Sequence, residues 1–389
     1  MAANIVLPRQ MRVGAGASQE LAAVLQQLGV NHPFIVTDQD MVKFGYLEKV
    51  TRVLDEAGIQ YAVFADTVPD PTVASVNQGV DALKQRDHDG VVALGGGSPM
   101  DSAKAIAHLA LHGGRMRDYK APVMSDTQGL PLVAIPTTAG TGSEATRFTV
   151  ITDEETDEKM LCPGAAFCPI AALVDYELTL TMPRRLTADT GVDTLTHALE
   201  AYVSAKRNPF ADGMAQMTMT AVAKHLRTAC NQPDNREARE AMMLAALHGG
   251  MAFSNASVCM VHGMSRPIGA FFHVPHGLSN AMLLPAVTAF SIEAAPDRYA
   301  NAARFMDVAT TDDSDEAACQ KLLQELRQLN TDLDVPSPRD YGIDEARYFE
   351  VLPTMAEQAL ASGSPGNNPR VPTADEIVEV YKQAWDGRG

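Results

Sequence analysis

Short aliphatic and β-branched runs alternate with longer stretches of helical period through the first half of the chain. HPFIVTD (32–38) reads as a buried strand, and MVKFGYLEKVTRVLDEAG (41–58) as one amphipathic helix closed by Gly58. IQYAVFA (59–65) is a second strand, and PTVASVNQGVDALKQRD (71–87) a second helix. GVVALGGG (90–97) runs from a strand into a glycine loop, MDSAKAIAHLALHGG (100–114) is helical, and PLVAIPTT (131–138) is a strand entering a turn. Strands alternating with helices imply a mostly parallel sheet covered on both faces.

After about Asp175 the β-branched runs thin out. The stretches at 179–204, 215–229, 237–256 and 316–329 keep helical spacing, and TADEIVEVYKQAW closes the chain with Thr373 and Glu376 set for a capping box. The expected division is an α/β domain over residues 1–180 and an all-helical domain over 181–389, with the boundary inside Leu178–Pro183. No internal repeat or low-complexity tract is visible.

Composition narrows the function. A net charge of −17 over 389 residues disfavours nucleic acid and anionic membranes as partners. The opening MAANIVLPRQMRVG lacks an apolar signal core, and no run of roughly 18 apolar residues suggests a span. Five cysteines without a C-x-x-C pair fit a reducing compartment, so the expectation is a cytoplasmic protein acting on a small molecule.

Two glycine loops compete for a phosphate. VGAGAS (13–18) has Asp38 some twenty residues on, but Gln19 stands where a dinucleotide fingerprint needs Gly or Ala. LGGGSPMD (94–101) follows a strong strand and opens a long helix, whose N-terminal amides suit a pyrophosphate. Asp38 ends its strand where an acid can bond a ribose 2′-hydroxyl and repel a 2′-phosphate, favouring NAD; capping the next helix is its other reading.

A second chemistry sits later. Asp193 and His197 are four apart on a helical stretch, so they share a face. VHGMSRPIGAFFHVPHG (261–277) carries His262, His273 and His276 around a Pro/Gly turn. One carboxylate with three imidazoles suits Fe²⁺ or Zn²⁺ in a catalytic site with an open position. Spacing alone leaves open whether His262 or His273 completes the set with His276.

The chain resembles the iron-containing (group III) alcohol dehydrogenases over nearly its whole length. The matching segments are FIVTD, PDPT, ALGGGSPMDSAKAIA, IPTTAGTGSEAT, VITDEETDEKM, DTGVDTLTHALEAY, MAFSNA, VHGMSRPIGAFFHVPHGLSNAMLLP and GNNPR. The resemblance implies an α/β NAD-binding domain followed by a helical metal-binding domain, the iron-alcohol-dehydrogenase (dehydroquinate synthase-like) fold. It assigns Asp193, His197, His262 and His276 as metal ligands, which leaves His273 as a candidate for proton transfer. It assigns Gly95, Gly96, Gly97 and Ser98, with Asp101 in the same motif, to the pyrophosphate loop, and makes Gly14 and Gly16 a structural turn. Asp38, Asp70, Thr137, Thr138, Thr141, Thr146 and Lys159 match cofactor-lining positions, and Phe253 an aromatic near the nicotinamide.

The implied reaction is hydride transfer between NAD(H) and a primary alcohol or aldehyde at Fe²⁺, or at Zn²⁺ or another divalent ion, in a homodimer or larger oligomer. One departure stands out. Relatives commonly carry a second histidine four residues after the first histidine of H-x-M-x-H-P, and here that position is Arg266. Arginine stays protonated, so it cannot take the alcohol proton. It would suit an aldehyde bearing a carboxylate, sulfonate or phosphonate, unless it pairs with an acid of its own protein. A glycerol-dehydrogenase-like, maleylacetate-reductase-like or dehydroquinate-synthase-like activity, or a metallohydrolase using the same N₃O site without nucleotide, are the alternatives.

Overall fold

The computed structural model describes residues 2–156 and 158–387. The described residues divide into two compact units, one within 4–182 and one within 183–387 to which residues 2 and 3 also belong. The first unit runs β1 (Gln10–Val13), α1 (Leu21–Leu28), β2 (Pro33–Val36), α2 (Gln39–Lys43), α3 (Tyr46–Glu56), β3 (Ala62–Phe64), α4 (Val73–Leu83), β4 (Gly90–Gly95) and α5 (Gly97–His112). It continues through β5 (Leu132–Pro136), β6 (Phe148–Asp153), β7 (Glu158–Pro163) and β8 (Ala171–Val174).

Six strands form a parallel sheet in the order β1-β8-β5-β4-β2-β3, and β6 and β7 pair as an antiparallel hairpin. Alternation along the central strands explains the two cores. Phe34, Val36, Val91, Ala93, Leu132 and Ala134 face α4 and α5, packing against Val76, Val80 and Ile106. Ile35, Val92, Leu94, Val133 and Ile135 face α1 and α3, against Leu21, Leu25, Val50 and Leu54. Strands buried on both faces read as continuous apolar runs, which is why these segments were visible in the sequence.

Three local readings change. The expected helix over 41–58 is two, α2 and α3, broken at Gly45, which takes φ 75. The expected strand over 59–65 shortens to three residues at a sheet edge, and the weakly patterned Gln10–Val13 is the strand at the other edge. The capping box expected at Thr373 and Glu376 is present.

The second unit is helical: α6 (Arg184–Val203), α7 (Pro209–Asn231), α8 (Arg236–Asn255), α9 (Met260–Phe272), α10 (His276–Ser291), α11 (Pro296–Phe305), α12 (Asp315–Asp332), α13 (Glu345–Ala361) and α14 (Ala374–Ala384). Helix α6 is buried almost all round from Thr187 to Val203, so its polar side chains must be satisfied inside the protein. Gly277 lets the start of α10 reach α6: a Cβ there would lie 2.6 Å from the Asp189 carbonyl oxygen. That close approach brings the neighbouring His276 to the acid one turn further along α6. All five cysteines are free, and no single helix among the described residues is long and apolar enough to cross a membrane.

Candidate metal centre and cofactor loop

In the helical unit, Asp193, His197 and Glu200 fall at i, i+4 and i+7 of α6 and share one buried face. His262 on the first turn of α9 and His276 at the start of α10 approach that face. The Nε2 atoms of His262, His197 and His276 lie 3.5, 3.7 and 3.9 Å from Asp193 Oδ1. One ligand atom each from Asp193, His262 and His276 lie within 4.8 Å of one another. The His197 ring stacks on His262 at 4.7 Å and on Phe253 at 4.2 Å. Phe253 of α8 thus backs a histidine of the cluster.

The buried acid and the imidazoles attract one another. Burial pushes the Asp193 carboxyl up, but His197, His276 and His262 together outweigh it and hold it well below the usual range. Burial disfavours a charged His262, yet Glu200 and then Asp193 raise it to about 9. Nitrogen and carboxylate oxygen donors facing one point match the ligand chemistry of Fe²⁺ or Zn²⁺.

Glu200 escaped the sequence reading. Its Oε2 faces His262 Nδ1 at 2.6 Å, and its Oε1 accepts the Val261 backbone N–H at 2.6 Å. A carboxylate on Nδ1 fixes the ring and turns Nε2 toward Asp193, the side from which the two would hold a cation together. The signal was present as D-x-x-x-H-x-x-E, which extends the face of the Asp193/His197 pair by one turn.

His273 and Arg266 part company from the cluster in different ways. His273 is the left-handed C-cap of α9, with φ 55; its side chain is exposed and makes no hydrogen bond among the described residues. Arg266 lies one turn beyond His262 on α9, partly buried, and its Nη1 donates to Ser364 Oγ at 3.2 Å. Among the described residues no carboxylate comes within 4.0 Å of its guanidinium, and Glu200 is the acid whose charge favours its cationic form from further away.

In the α/β unit, β4 and β5 end side by side, Gly95 opposite Pro136, and both feed polar loops. Gly95 adopts φ 144, with Pro99 where its Cβ would be, at 2.6 Å. Gly96 and Gly97 pack against the Thr138 and Thr141 side chains, where added methyls would sit 3.2 and 3.1 Å from them. Helix α5 starts with no side-chain cap and no acid in its first turn, leaving its amides to an anion. Thr137 is buried, and its Oγ1 has no partner among the described residues. A bare helix N-terminus beside an orphaned hydroxyl fits a nucleotide phosphate and its surroundings.

The other glycine loop is already filled. Asp175 accepts the backbone N–H groups of Gly16 and Ser18, each at 3.2 Å, and the Ser18 hydroxyl at 2.6 Å. An internal carboxylate occupies the anion position, so this loop is a turn. Asp38 caps α2, accepting Met41 N–H at 2.9 Å. Asp70, with φ 51, pairs with Lys159 at 2.8 Å. Asp101 and Thr146 are turned inward: Asp101 accepts Ser143 Oγ and Val150 N–H, and Thr146 Oγ1 accepts the buried Lys104 ammonium.

A parallel α/β unit with a phosphate-ready helix start, and a helical unit with an N₃O cluster, define a metal-dependent, nucleotide-linked oxidoreductase. Residues 8–176 match the "Iron-containing alcohol dehydrogenase" family model and residues 187–385 the "Fe-containing alcohol dehydrogenase family, C-terminal" model, so the chain belongs to the iron-containing alcohol dehydrogenase family. It is 36% identical over 382 residues to the NAD-dependent methanol dehydrogenase of Bacillus methanolicus, covering 98% of this chain and 99% of that one. A solved 1,3-propanediol oxidoreductase superposes with TM-score 0.95 at 35% identity, covering 99% of this chain and 100% of that one. Sulfoacetaldehyde reductase from Bifidobacterium kashiwanohense, solved with NAD⁺, superposes with TM-score 0.88 at 28% identity, covering 99% of each chain.

Proposed function

We propose that this protein interconverts a primary alcohol and its aldehyde with NAD(H), at a divalent cation held by Asp193, His197, His262 and His276, and that its own aldehyde carries an anionic group. The convergence of Asp193, His262 and His276 on one point, with His197 Nε2 3.7 Å from the same carboxylate oxygen, carries the reading. Fe²⁺ is the metal expected from the family; the donors also suit Zn²⁺. When bound, the cation supplies Lewis-acid polarisation of the substrate oxygen, and the nicotinamide supplies the hydride acceptor or donor.

The chain's own groups do the rest. Glu200 holds His262 in the donor tautomer, and Phe253 braces the His197 ring. The amides of the α5 start receive the pyrophosphate, and Asp38 selects against a 2′-phosphate. Arg266 remains a cation at working pH, so its part is to orient substrate. A partly buried guanidinium whose direct hydrogen bond is to one hydroxyl, with Glu200 acting on it only from further away, has donors to spare for a carboxylate or sulfonate. A family neighbour named for sulfoacetaldehyde, an anion-bearing aldehyde, agrees with that substrate class. A reducing cytoplasm, consistent with five free cysteines, and a homo-oligomeric state complete the proposal.

The test is an aldehyde panel of matched chain length with and without a terminal carboxylate or sulfonate, followed by NADH oxidation. Arg266→Ala should lower kcat/KM for the anionic members by roughly 10–100-fold, the worth of a charge-assisted hydrogen bond. Neutral members should change little. Equal losses on both sets would sink the anionic preference and leave the dehydrogenase reading intact.

A further inference from the structure

Asn280 lies one turn beyond His276 on α10 and is fully buried. Its Nδ2 donates to Asp193 Oδ1 at 2.7 Å and lies 3.2 Å from His262 Nε2 and 3.3 Å from His276 Nε2. Its Oδ1 is buried and has no hydrogen-bond partner among the described residues. The Asp193 carboxylate fixes which end of the amide faces inward, since an amide oxygen in that place would meet another acceptor at 2.7 Å. The same atoms that turn toward a cation therefore turn toward the amide.

From this geometry we infer that Asn280 is a positioning residue of the metal centre, resting on the metal-site reading proposed above. Without the cation, the amide gives the buried Asp193 carboxylate a neutral donor and stays within 3.3 Å of both imidazoles. With the cation bound, the imidazole lone pairs go to the metal. The amide then keeps its shortest bond, to Asp193 Oδ1, and holds that carboxylate in the orientation the site needs. A neutral donor suits both states. A carboxylate at 280 would repel Asp193, and an alanine would leave the buried acid one donor short.

The test uses the whole chain with Zn²⁺ alone as probe, comparing wild type with Asn280→Ala and the isosteric Asn280→Asp. Zinc affinity comes from chelator competition, zinc loss from transfer to excess chelator, and thermal unfolding is measured with and without zinc. Asn280→Ala should bind zinc roughly 10–100-fold more weakly and release it faster. Asn280→Asp should be less stable than wild type without zinc at pH 7.5, yet gain more from zinc than wild type does. A role limited to packing would lower unfolding temperatures while leaving the zinc-induced gain equal in all three proteins. That result, or zinc affinity within twofold of wild type in Asn280→Ala, would overturn the inference alone. Failure of the wild type itself to bind zinc would overturn the metal-site reading and this inference with it.

Discussion

Replacing Lys104 by methionine keeps the length of the side chain and removes the ammonium that ties α5 to the segment after β5. Lys104 is fully buried, and its Nζ donates to Ser143 Oγ (2.8 Å), Thr146 Oγ1 (2.9 Å), Thr146 O (3.2 Å) and Phe148 O (2.8 Å). The two hydroxyls can rotate to other partners, but the two carbonyls cannot. Each orphaned buried acceptor costs about 1–3 kcal/mol. Relief of the desolvated charge, which already draws the lysine pKa down, offsets part of this. A net loss of about 3–5 kcal/mol is expected, the usual cost of removing one member of a buried charged network. For a unit of this size that corresponds to a fall of about 6–20 °C in its unfolding transition by calorimetry. The segment being anchored carries Thr141 and Thr146, so NADH binding, read by fluorescence, should weaken as well. A transition within about 2 °C of wild type, with unchanged NADH affinity, would refute the argument that this lysine organises the loop.

Three further outcomes follow from other groups. Burial pushes Glu144 from its ordinary 4.5 up to about 7, against its own backbone N–H and Lys104. Its folded value is raised, so stability is fully present below pH 4.5 and is lost as pH rises through about 7, by about 3 kcal/mol. Glu144→Gln should therefore raise unfolding stability at pH 8 and leave it unchanged near pH 4.5; an equal effect at both would contradict the assignment. Glu200→Gln should weaken cobalt(II) binding, followed by its visible absorption, by roughly tenfold or more, because His262 loses its charged anchor. Asp38→Ser keeps an oxygen to cap α2 but removes the charge, so NADP should gain on NAD by about tenfold, roughly 1.4 kcal/mol. Direct binding measurements showing an unmoved NAD/NADP ratio would count against Asp38 as the selector.

The parallel sheet was legible because β2, β4 and β5 are covered on both faces and carry unbroken apolar runs. Edges were harder: β1 and β3 have solvent on one side and little pattern to show. Local spacing exposed Asp193 with His197, since a helix enforces that proximity, but could not choose between His262 and His273. The left-handed turn at His273 decides where that ring goes, sending it outward while His276 begins a new helix against α6. Glu200 and Asn280 were missed for a related reason. Each lies a turn away from a recognised residue on its own helix, and its meaning depends on atoms of another helix. The glycine loops show the converse. Both had phosphate-like patterns, and the tertiary position of Asp175 supplies the physical reason why the first is a closed turn.

The central claim is that hydride transfer depends on one divalent cation held by the Asp193 cluster. Metal-stripped protein titrated anaerobically with Fe²⁺ or Zn²⁺, with NADH-dependent aldehyde reduction measured against metal bound per chain, tests it most directly. Activity should rise in proportion to bound metal and level off at one ion per chain, and Asp193→Ala should show neither tight binding nor activity. Full turnover by the metal-stripped wild type, or by Asp193→Ala, would contradict it.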